Sequence, residues 1–328
     1  MRIINKRRKI LKETVKRGFD PAFWFYRLRW NWYPKLGIVP RAPIHLDIEI
    51  TNTCNLRCIM CVHGQGTVKN QGLMDVAFAK NLVDQAVEMK VASIKFNWRG
   101  EATLHKALPE LIRYAKDRGI IDVQLNTNGT LLKDGLILEL IKSGLDRIIF
   151  SLDAATKEVY ERIRVGAKFE DVTGAIRKTF EIRKKLNRIK PFIRVQMVRM
   201  KGNENEESLF IKQWSIFSDE IRLNDVTNRG QGDNLFCGDK MAVGRIRCTQ
   251  PWQRMVITWD GRVYPCCVDY FERWQVGDAR KERLADIWKG PGMKRMREEQ
   301  KKMHLDMIEP CKSCFSNDSF RWKITDQK

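Results

Sequence analysis

Six short runs of β-branched and apolar residues recur along the chain, at 44–51 (IHLDIEIT), 92–98 (ASIKFNW), 122–126 (DVQLN), 147–152 (RIIFSL), 192–200 (FIRVQMVRM) and 220–226 (EIRLNDV). Each predicts a strand. Between them, at roughly 75–90, 107–118, 132–143, 169–187 and 205–217, apolar residues return at helical spacing, as Leu108, Leu111, Ile112 and Ala115 do. Pro109 falls in the first turn of its helix, where a missing N–H is tolerated. Repeated strand-helix units of this length imply a parallel sheet with right-handed crossovers, hence an α/β layer fold or a barrel. Chemistry in such folds sits at the C-terminal ends of the strands. The unusual residues fall there: a cysteine loop after the first strand, Arg99-Gly100-Glu101 after the second, Thr127-Asn128-Gly129 after the third, and Ser151 with Asp153 at the end of the fourth. From about residue 237 the rhythm stops. MVITWDGRVYPCC predicts a hairpin turning on Asp260-Gly261, and 284–303 predicts a helix interrupted near Gly290-Pro291-Gly292. The expected organisation is an extension at 1–42, an α/β core at 43–236 and a cysteine-bearing region at 237–328.

Composition narrows the class. The 328 residues are 43% hydrophobic and 31% charged, enough to bury a sizeable core, and no run of 18 apolar residues could span a bilayer. The first residues, MRIINKRRKILKETVKRG, carry positive charge with no apolar stretch behind it, so a cytoplasmic protein with reduced thiols is expected. The net charge is +21, and residues 1–42 hold 12 Lys and Arg against Glu13 and Asp20. Nearly half the excess therefore sits in the extension.

The nine cysteines form two groups. An odd count in a reducing compartment favours thiolate-bound metal over a disulfide framework. Cys54, Cys58 and Cys61 stand as Cys-x3-Cys-x2-Cys, three thiolates that can hold three corners of a cubane iron-sulfur cluster and leave the fourth iron open. Structural zinc would want four ligands at other spacings. Cys248, Cys266 or Cys267, Cys311 and Cys314 could close a cluster or a zinc ion completely, and the spacing alone leaves that choice open.

In this order the residues resemble the radical S-adenosylmethionine (SAM) superfamily, and the C-terminal part resembles its SPASM/twitch branch. The resemblance covers about residues 44–316. Cys54, Cys58 and Cys61 match the family's CxxxCxxC, implying a [4Fe-4S] cluster that binds the amino and carboxylate groups of SAM. Met60 precedes the third cysteine, where an aromatic is commonest. Gly100-Glu101 match the GE motif that contacts the methionyl ammonium, with Arg99 where glycine is usual, which places a fixed cation near the rim. Asn128, within Thr127-Asn128-Gly129, and Ser151 and Asp153, within Ser151-Leu152-Asp153, match motifs that meet the SAM carboxylate and ribose. CTQPWQRMVITWDGRVYPCC resembles the start of a SPASM region, with Cys311-x2-Cys314 as its next pair. FSNDSFRWKITDQK contains no cysteine, so the resemblance implies a single auxiliary [4Fe-4S] cluster on Cys248, Cys266, Cys311 and Cys314, with Cys267 as the alternative to Cys266. The implied fold is a partial (β/α)6 TIM-type barrel with a small C-terminal SPASM/twitch domain.

The implied chemistry is reductive cleavage of SAM to a 5′-deoxyadenosyl radical, fed by an external one-electron donor such as flavodoxin or ferredoxin, and abstraction of hydrogen from an unactivated C–H bond. Three substrate readings follow. The leading one is oxidation of a small sugar- or cyclitol-like molecule, free or lipid-linked, with the auxiliary cluster as electron acceptor. In the second, an epimerase, Cys237 or Cys267 returns a hydrogen atom; both thiols can also serve as small buried hydrophobes. The third is a peptide or protein maturase. Nucleic acid is not an expected partner. In the extension, Ile4, Leu11, Val15 and Phe19 fall on one helical face among Lys and Arg, and seven aromatics follow between Phe23 and Tyr33. That pattern suits peripheral contact with an anionic membrane, at the inner membrane surface, or a helix packed over the open side of the barrel.

Overall fold

The structure, a computed structural model, describes residues 2–4, 20–225, 248–312 and 314. Among them, ten strands form one sheet. β1 (Arg2–Ile4) lies at one edge, antiparallel to the last barrel strand. β2 (His45–Ile48), β3 (Ser93–Lys95), β4 (Asp122–Thr127), β5 (Arg147–Ser151), β6 (Phe192–Arg199) and β7 (Glu220–Asp225) then lie side by side in chain order, each parallel to its neighbour. This is the partial barrel that the six runs predict. On the other side of β2, β8 (Arg254–Ile257) adds in parallel, followed by the antiparallel β9 (Arg262–Tyr264) and β10 (Gly277–Asp278). The hairpin at Asp260-Gly261 forms, with Gly261 at φ +101°. The chain after residue 247 thus extends the barrel's own sheet.

The helices follow the apolar periodicity. α1 (Pro21–Trp32) starts on Asp20, whose carboxylate accepts the N–H groups of Ala22 and Phe23. α2 (Val76–Glu88) is capped by Asp75 and buries Ala79, Leu82, Val83 and Ala86, one helical stripe. α3 (Leu108–Asp117), α4 (Asp134–Lys142), α6 (Phe169–Lys185) and α7 (Glu207–Trp214) lie within a few residues of their predicted positions. α5 (Lys157–Ile163) has no counterpart in the sequence pattern, because only Tyr160 and Ile163 of its seven residues are buried. Near the C-terminus α8 (Leu284–Lys289), α9 (Pro291–Lys302) and the single turn α10 (Glu309–Lys312) follow, with the expected break at Gly290.

Strand alternation sorts the barrel into two faces. Leu46, Ile48, Ile94, Val123, Leu125, Ile148, Phe150, Ile193, Val195 and Leu223 join the helices in one continuous core. Each such side chain contributes about 1.5–3 kcal/mol by leaving water. The alternate positions, mostly polar apart from Ile149 and Phe192, point the other way, into the barrel. Asp47 there is bound by Lys95 at 2.6 Å, Arg254 at 2.8 Å and His45 at 3.3 Å.

The N-terminal segment departs from its expectation in part. Ile4 belongs to a β-strand rather than to a helical face, while Leu11, Val15 and Phe19 lie outside the described residues. α1 packs across the entry of the strands: Phe23 and Tyr26 are buried against Ile44 and Ala92, and the Tyr26 hydroxyl donates to Asp122 at 3.4 Å.

Candidate active site and cysteine groups

The first cysteine loop leaves β2 through Thr51, whose hydroxyl donates to the Gly72 carbonyl and accepts the Thr53 N–H. Leu56, Cys58 and Met60 are buried in the core, and the N–H groups of Arg57 and Ile59 donate to the carbonyls of Val165, just past α5, and Ile163, its last residue. A Cβ at Gly64 would stand 2.1 Å from the Cys58 carbonyl, so the chain can fold back over the loop only through glycine. The three thiols lie within electrostatic reach of one another, and burial, followed by Glu101, Cys58 and Cys61, pushes the Cys54 thiol up to about 12. Such a thiol stays protonated alone and ionises on binding iron. Three soft donors on one short loop fit a cubane cluster with one open corner.

The second loop is seated on the first. A Cβ at Gly100 would lie 2.5 Å from the carbonyls of Thr51 and Thr53, and the Glu101 N–H donates to Thr53 at 2.8 Å. This close approach explains the glycine. One Glu101 oxygen accepts from the hydroxyls of Thr103 and Thr127, each at 2.7 Å, and the other accepts the Asn128 N–H at 2.7 Å. Asn128 in turn donates to Asn55 of the cysteine loop at 3.0 Å. Glu101, Asn128 and the cysteine loop are therefore one assembly. The Ser151 hydroxyl meets the side-chain amides of Asn126 and Gln196, both at 3.3 Å, inside the barrel. Asp153 is not in this group. It is wholly buried, with its carboxylate taken by Arg164 at 2.8 and 2.5 Å and by the Val198 N–H at 2.7 Å. It braces β6 and the chain after α5.

In the second group, Cys248 senses Cys311, Cys314 and Cys267, and Cys266 senses Cys267, Cys248 and Cys314. Burial pushes the Cys311 thiol up to about 12 and raises those of Cys248 and Cys266. Gln300 of α9, which nothing in the sequence pattern singles out, joins two of these segments. Its amide donates to Cys311 Sγ at 3.2 Å and its carbonyl accepts the Cys248 N–H at 3.0 Å. The Val268 N–H donates to Cys266 Sγ at 3.3 Å. Four thiols, two of them with N–H donors on the sulfur, fit a fully ligated cluster. Among the described residues no three His, Cys, Asp or Glu side chains gather as for a single metal ion. Cys267 diverges from Cys266. Its thiol lies 3.6 Å from Gln250 and also senses Arg254, Asp47 and Lys95 of the barrel interior. Cys237 lies outside the described residues.

A seam of aromatic and charged groups joins the two groups. Trp98 stacks on Tyr264 and Tyr270, with centroids 5.8 and 5.6 Å away, and its indole N–H donates to the Cys267 carbonyl at 2.9 Å. Arg99 is almost wholly buried, bound to Glu49 at 2.8 Å and to Glu272 at 2.7 Å. Its charge is thus absorbed within the seam and does not stand free at the rim.

Residues 48–194 match the radical SAM superfamily, and residues 248–315 match the SPASM iron-sulfur cluster-binding domain. The chain is 27% identical over 292 residues to a tungsten-containing aldehyde ferredoxin oxidoreductase cofactor-modifying protein of Pyrococcus furiosus, covering 74% of this chain and 80% of that one. It is 38% identical over 136 residues to a probable GTP 3′,8-cyclase of Methanococcus maripaludis, but spans only 45% of that protein. Among solved structures, BtrN in complex with AdoMet and 2-DOIA superposes with a TM-score of 0.57 at 20% identity, over 85% of this chain and 94% of BtrN. Streptococcus suis SuiB bound to S-adenosylmethionine gives 0.64 at 14% identity, over 83% and 71%. These likenesses show the fold, and with the two domain matches they lead to one conclusion: the chain belongs to the radical SAM superfamily and carries a SPASM-type iron-sulfur region at its C-terminal end.

Proposed function

We propose that this radical SAM enzyme oxidises a hydroxyl-bearing carbon of a small sugar- or cyclitol-like molecule. The observation that carries the reading is the C-terminal set of four thiols, completed by N–H donors from Gln300 and Val268 and joined to the barrel through Trp98. A fully ligated cluster suits an electron acceptor rather than a substrate-binding site. Cys54, Cys58 and Cys61 would hold the cluster that supplies an electron to SAM, and Cys248, Cys266, Cys311 and Cys314 would hold one able to accept an electron, the chemistry by which an alcohol carbon that gives up a hydrogen atom, a proton and an electron would become a carbonyl. In this reading Glu101 takes the methionyl ammonium with the oxygen that, among the described residues, accepts only the Asn128 N–H. Asn128 orients the carboxylate end. The layer of Asn126, Ser151 and Gln196 supplies donors and acceptors suited to ribose or substrate hydroxyls. Asp153, already paired with Arg164, is assigned no cofactor contact.

Anaerobic reconstitution with iron, sulfide and SAM, followed by reduction with dithionite or reduced flavodoxin, is expected to yield 5′-deoxyadenosine. No nucleoside under either reductant would reject the radical reading. One observation favours a second reading, epimerisation: the Cys267 thiol faces charges of the barrel interior. Solvent deuterium in the product, lost in Cys267→Ala, would decide for it. BtrN and SuiB are both neighbours in fold, so product analysis separates a cyclitol-like substrate from a peptide.

We also assign the apolar surface of the N-terminal segment to an anionic membrane. Phe25, Leu28, Trp32, Leu36, Ile38 and Val39 are exposed, with Arg27, Arg29 and Lys35 among them. Apolar side chains interleaved with cations suit the headgroup region of such a surface. Among the described residues no helix is long and apolar enough to cross a membrane, so this contact is peripheral. Sedimentation with phosphatidylglycerol vesicles is expected to fall sharply in a Phe25→Ser, Trp32→Ser variant. Unchanged sedimentation would reject the assignment.

A further inference from the structure

Three adjacent strands, β8, β2 and β3, bring two cations onto one carboxylate near the C-terminal cysteines. Arg254 pairs with His45 and Asp47 with Lys95 across these strands, so that Arg254 Nη1 lies 2.8 Å and Lys95 Nζ 2.6 Å from the Asp47 carboxylate. Among the described residues neither cation meets another carboxylate. Burial holds His45, the third partner of Asp47, below its ordinary value, so it stays neutral at pH 7. One positive charge is therefore in excess. Arg254 is 8% exposed, and its guanidinium lies over the Trp30 ring, 5.2 Å from the centroid.

Two buried donors in this region have no acceptor among the described residues: Arg254 Nε and the side-chain amide nitrogen of Gln250, a residue 1% exposed. Buried donors are nearly always paired, so each points to an acceptor beyond the protein's own groups. Gln250 stands between two of the cysteine segments. Its backbone N–H reaches the Cys248 thiol, and its side-chain oxygen lies 3.6 Å from Cys267 Sγ. Arg254 senses the same region: burial lowers it, but Cys267, Asp47 and Cys266 together bring it above its ordinary value. The contiguous cysteine loop has no such excess of charge. Arg164 senses Cys58 there, but it is bound at 2.8 and 2.5 Å by Asp153, which among the described residues meets no second cation.

We propose that Arg254 is the counter-ion of the auxiliary cluster: its Nε–H and the Gln250 amide meet the cluster's sulfurs, and its charge, which shares Asp47 with Lys95, makes the cluster easier to reduce. This rests on the reading of Cys248, Cys266, Cys311 and Cys314 as ligands of an electron-accepting cluster. Each electron taken up adds one negative charge, so a fixed cation and two N–H donors stabilise the reduced form over the oxidised one. Asp47 opposes that effect. Because Arg164 is cancelled by Asp153 while Arg254 is not cancelled by Asp47, the two arginines bias an electron toward the C-terminal set.

The test is a redox titration of the anaerobically reconstituted protein followed by electron paramagnetic resonance, taking as auxiliary the signal that added SAM leaves unchanged. Arg254→Gln is expected to make that potential more negative by a tenfold change in the reduction equilibrium, about 59 mV for one electron. Arg254→Lys, which keeps the charge, is expected to recover most of the shift. Asp47→Asn removes the opposing carboxylate and is expected to move the potential the other way, and Lys281→Gln, which removes an exposed cation beside Asp278, to leave it unchanged. A merely structural role would not give shifts of opposite sign. Arg254 is buried and its Gln variant could lose its fold, so each variant is checked by thermal unfolding, and the sign in Asp47→Asn then decides. A wild-type potential in folded Arg254→Gln, or a negative shift in Asp47→Asn, would overturn the proposal. Iron is counted in the same samples. About eight atoms per chain with no shift reject this inference alone, whereas about four with no SAM-insensitive signal reject the four-thiol cluster and the inference with it.

Discussion

Cys54, Cys58 and Cys61 occupy eight consecutive residues, whereas Cys248, Cys266, Cys311 and Cys314 come from three separate segments. The first set needs little from the rest of the chain beyond a platform, supplied by the packing of Leu56 and Met60 and by the seat of Gly100 on Thr51 and Thr53. The second is assembled by tertiary contacts, with Gln300 bridging the Cys248 backbone and the Cys311 thiol. The difference matches their proposed tasks. Three contiguous ligands leave a corner open for SAM, while four dispersed ligands close a cluster off from substrate and leave it only electrons to exchange.

The largest effect is expected at the contiguous loop. Cys58→Ala should abolish 5′-deoxyadenosine formation while leaving the auxiliary cluster's iron in place; nucleoside at wild-type rate would show that this loop does not hold the cleaving cluster. Next, wild type should carry about eight iron atoms per chain, and Cys266→Ala about four, with Cys267→Ala close to wild type. Equal loss in both variants would mean that the adjacent thiols do not divide their roles. Third, Glu101→Gln should weaken SAM binding by about ten- to a hundredfold, as expected for removing a charged hydrogen bond of about 1.5–3 kcal/mol. Equilibrium dialysis with labelled SAM measures it, and unchanged affinity would remove Glu101 from the ammonium site. The smallest effect concerns tuning. Gln300→Leu removes an N–H donor from a ligating sulfur and should make the auxiliary potential more negative, by at most about 59 mV, a tenfold change for one electron. A redox titration followed by electron paramagnetic resonance would show it, and a shift confined to the first cluster would contradict the assignment.

Much of the barrel is legible because its signals are local. A strand in this fold alternates between helix-facing apolar and interior polar residues, as IHLDIEIT does, and that period survives in any single run. The strand-end motifs are legible for the same reason. α5 is not, since two buried residues are too few to establish a period. The position of Asp153 is readable but its occupation is not: Arg164, eleven residues on, takes its carboxylate only because the chain folds back there. Arg99 likewise reads as a free cation until Glu49 and Glu272 are brought to it.

The sequence by itself determined the order of strands and helices, the contiguous cysteine loop and the loops that surround it, because these depend on spacing within a few residues. Tertiary structure alone decided that β8 continues the barrel sheet beside β2, that Gln300 meets two cysteine segments, and that three arginines share Glu220. Those contacts join residues far apart along the chain, and no local periodicity records which distant side chain completes a charge or a hydrogen bond.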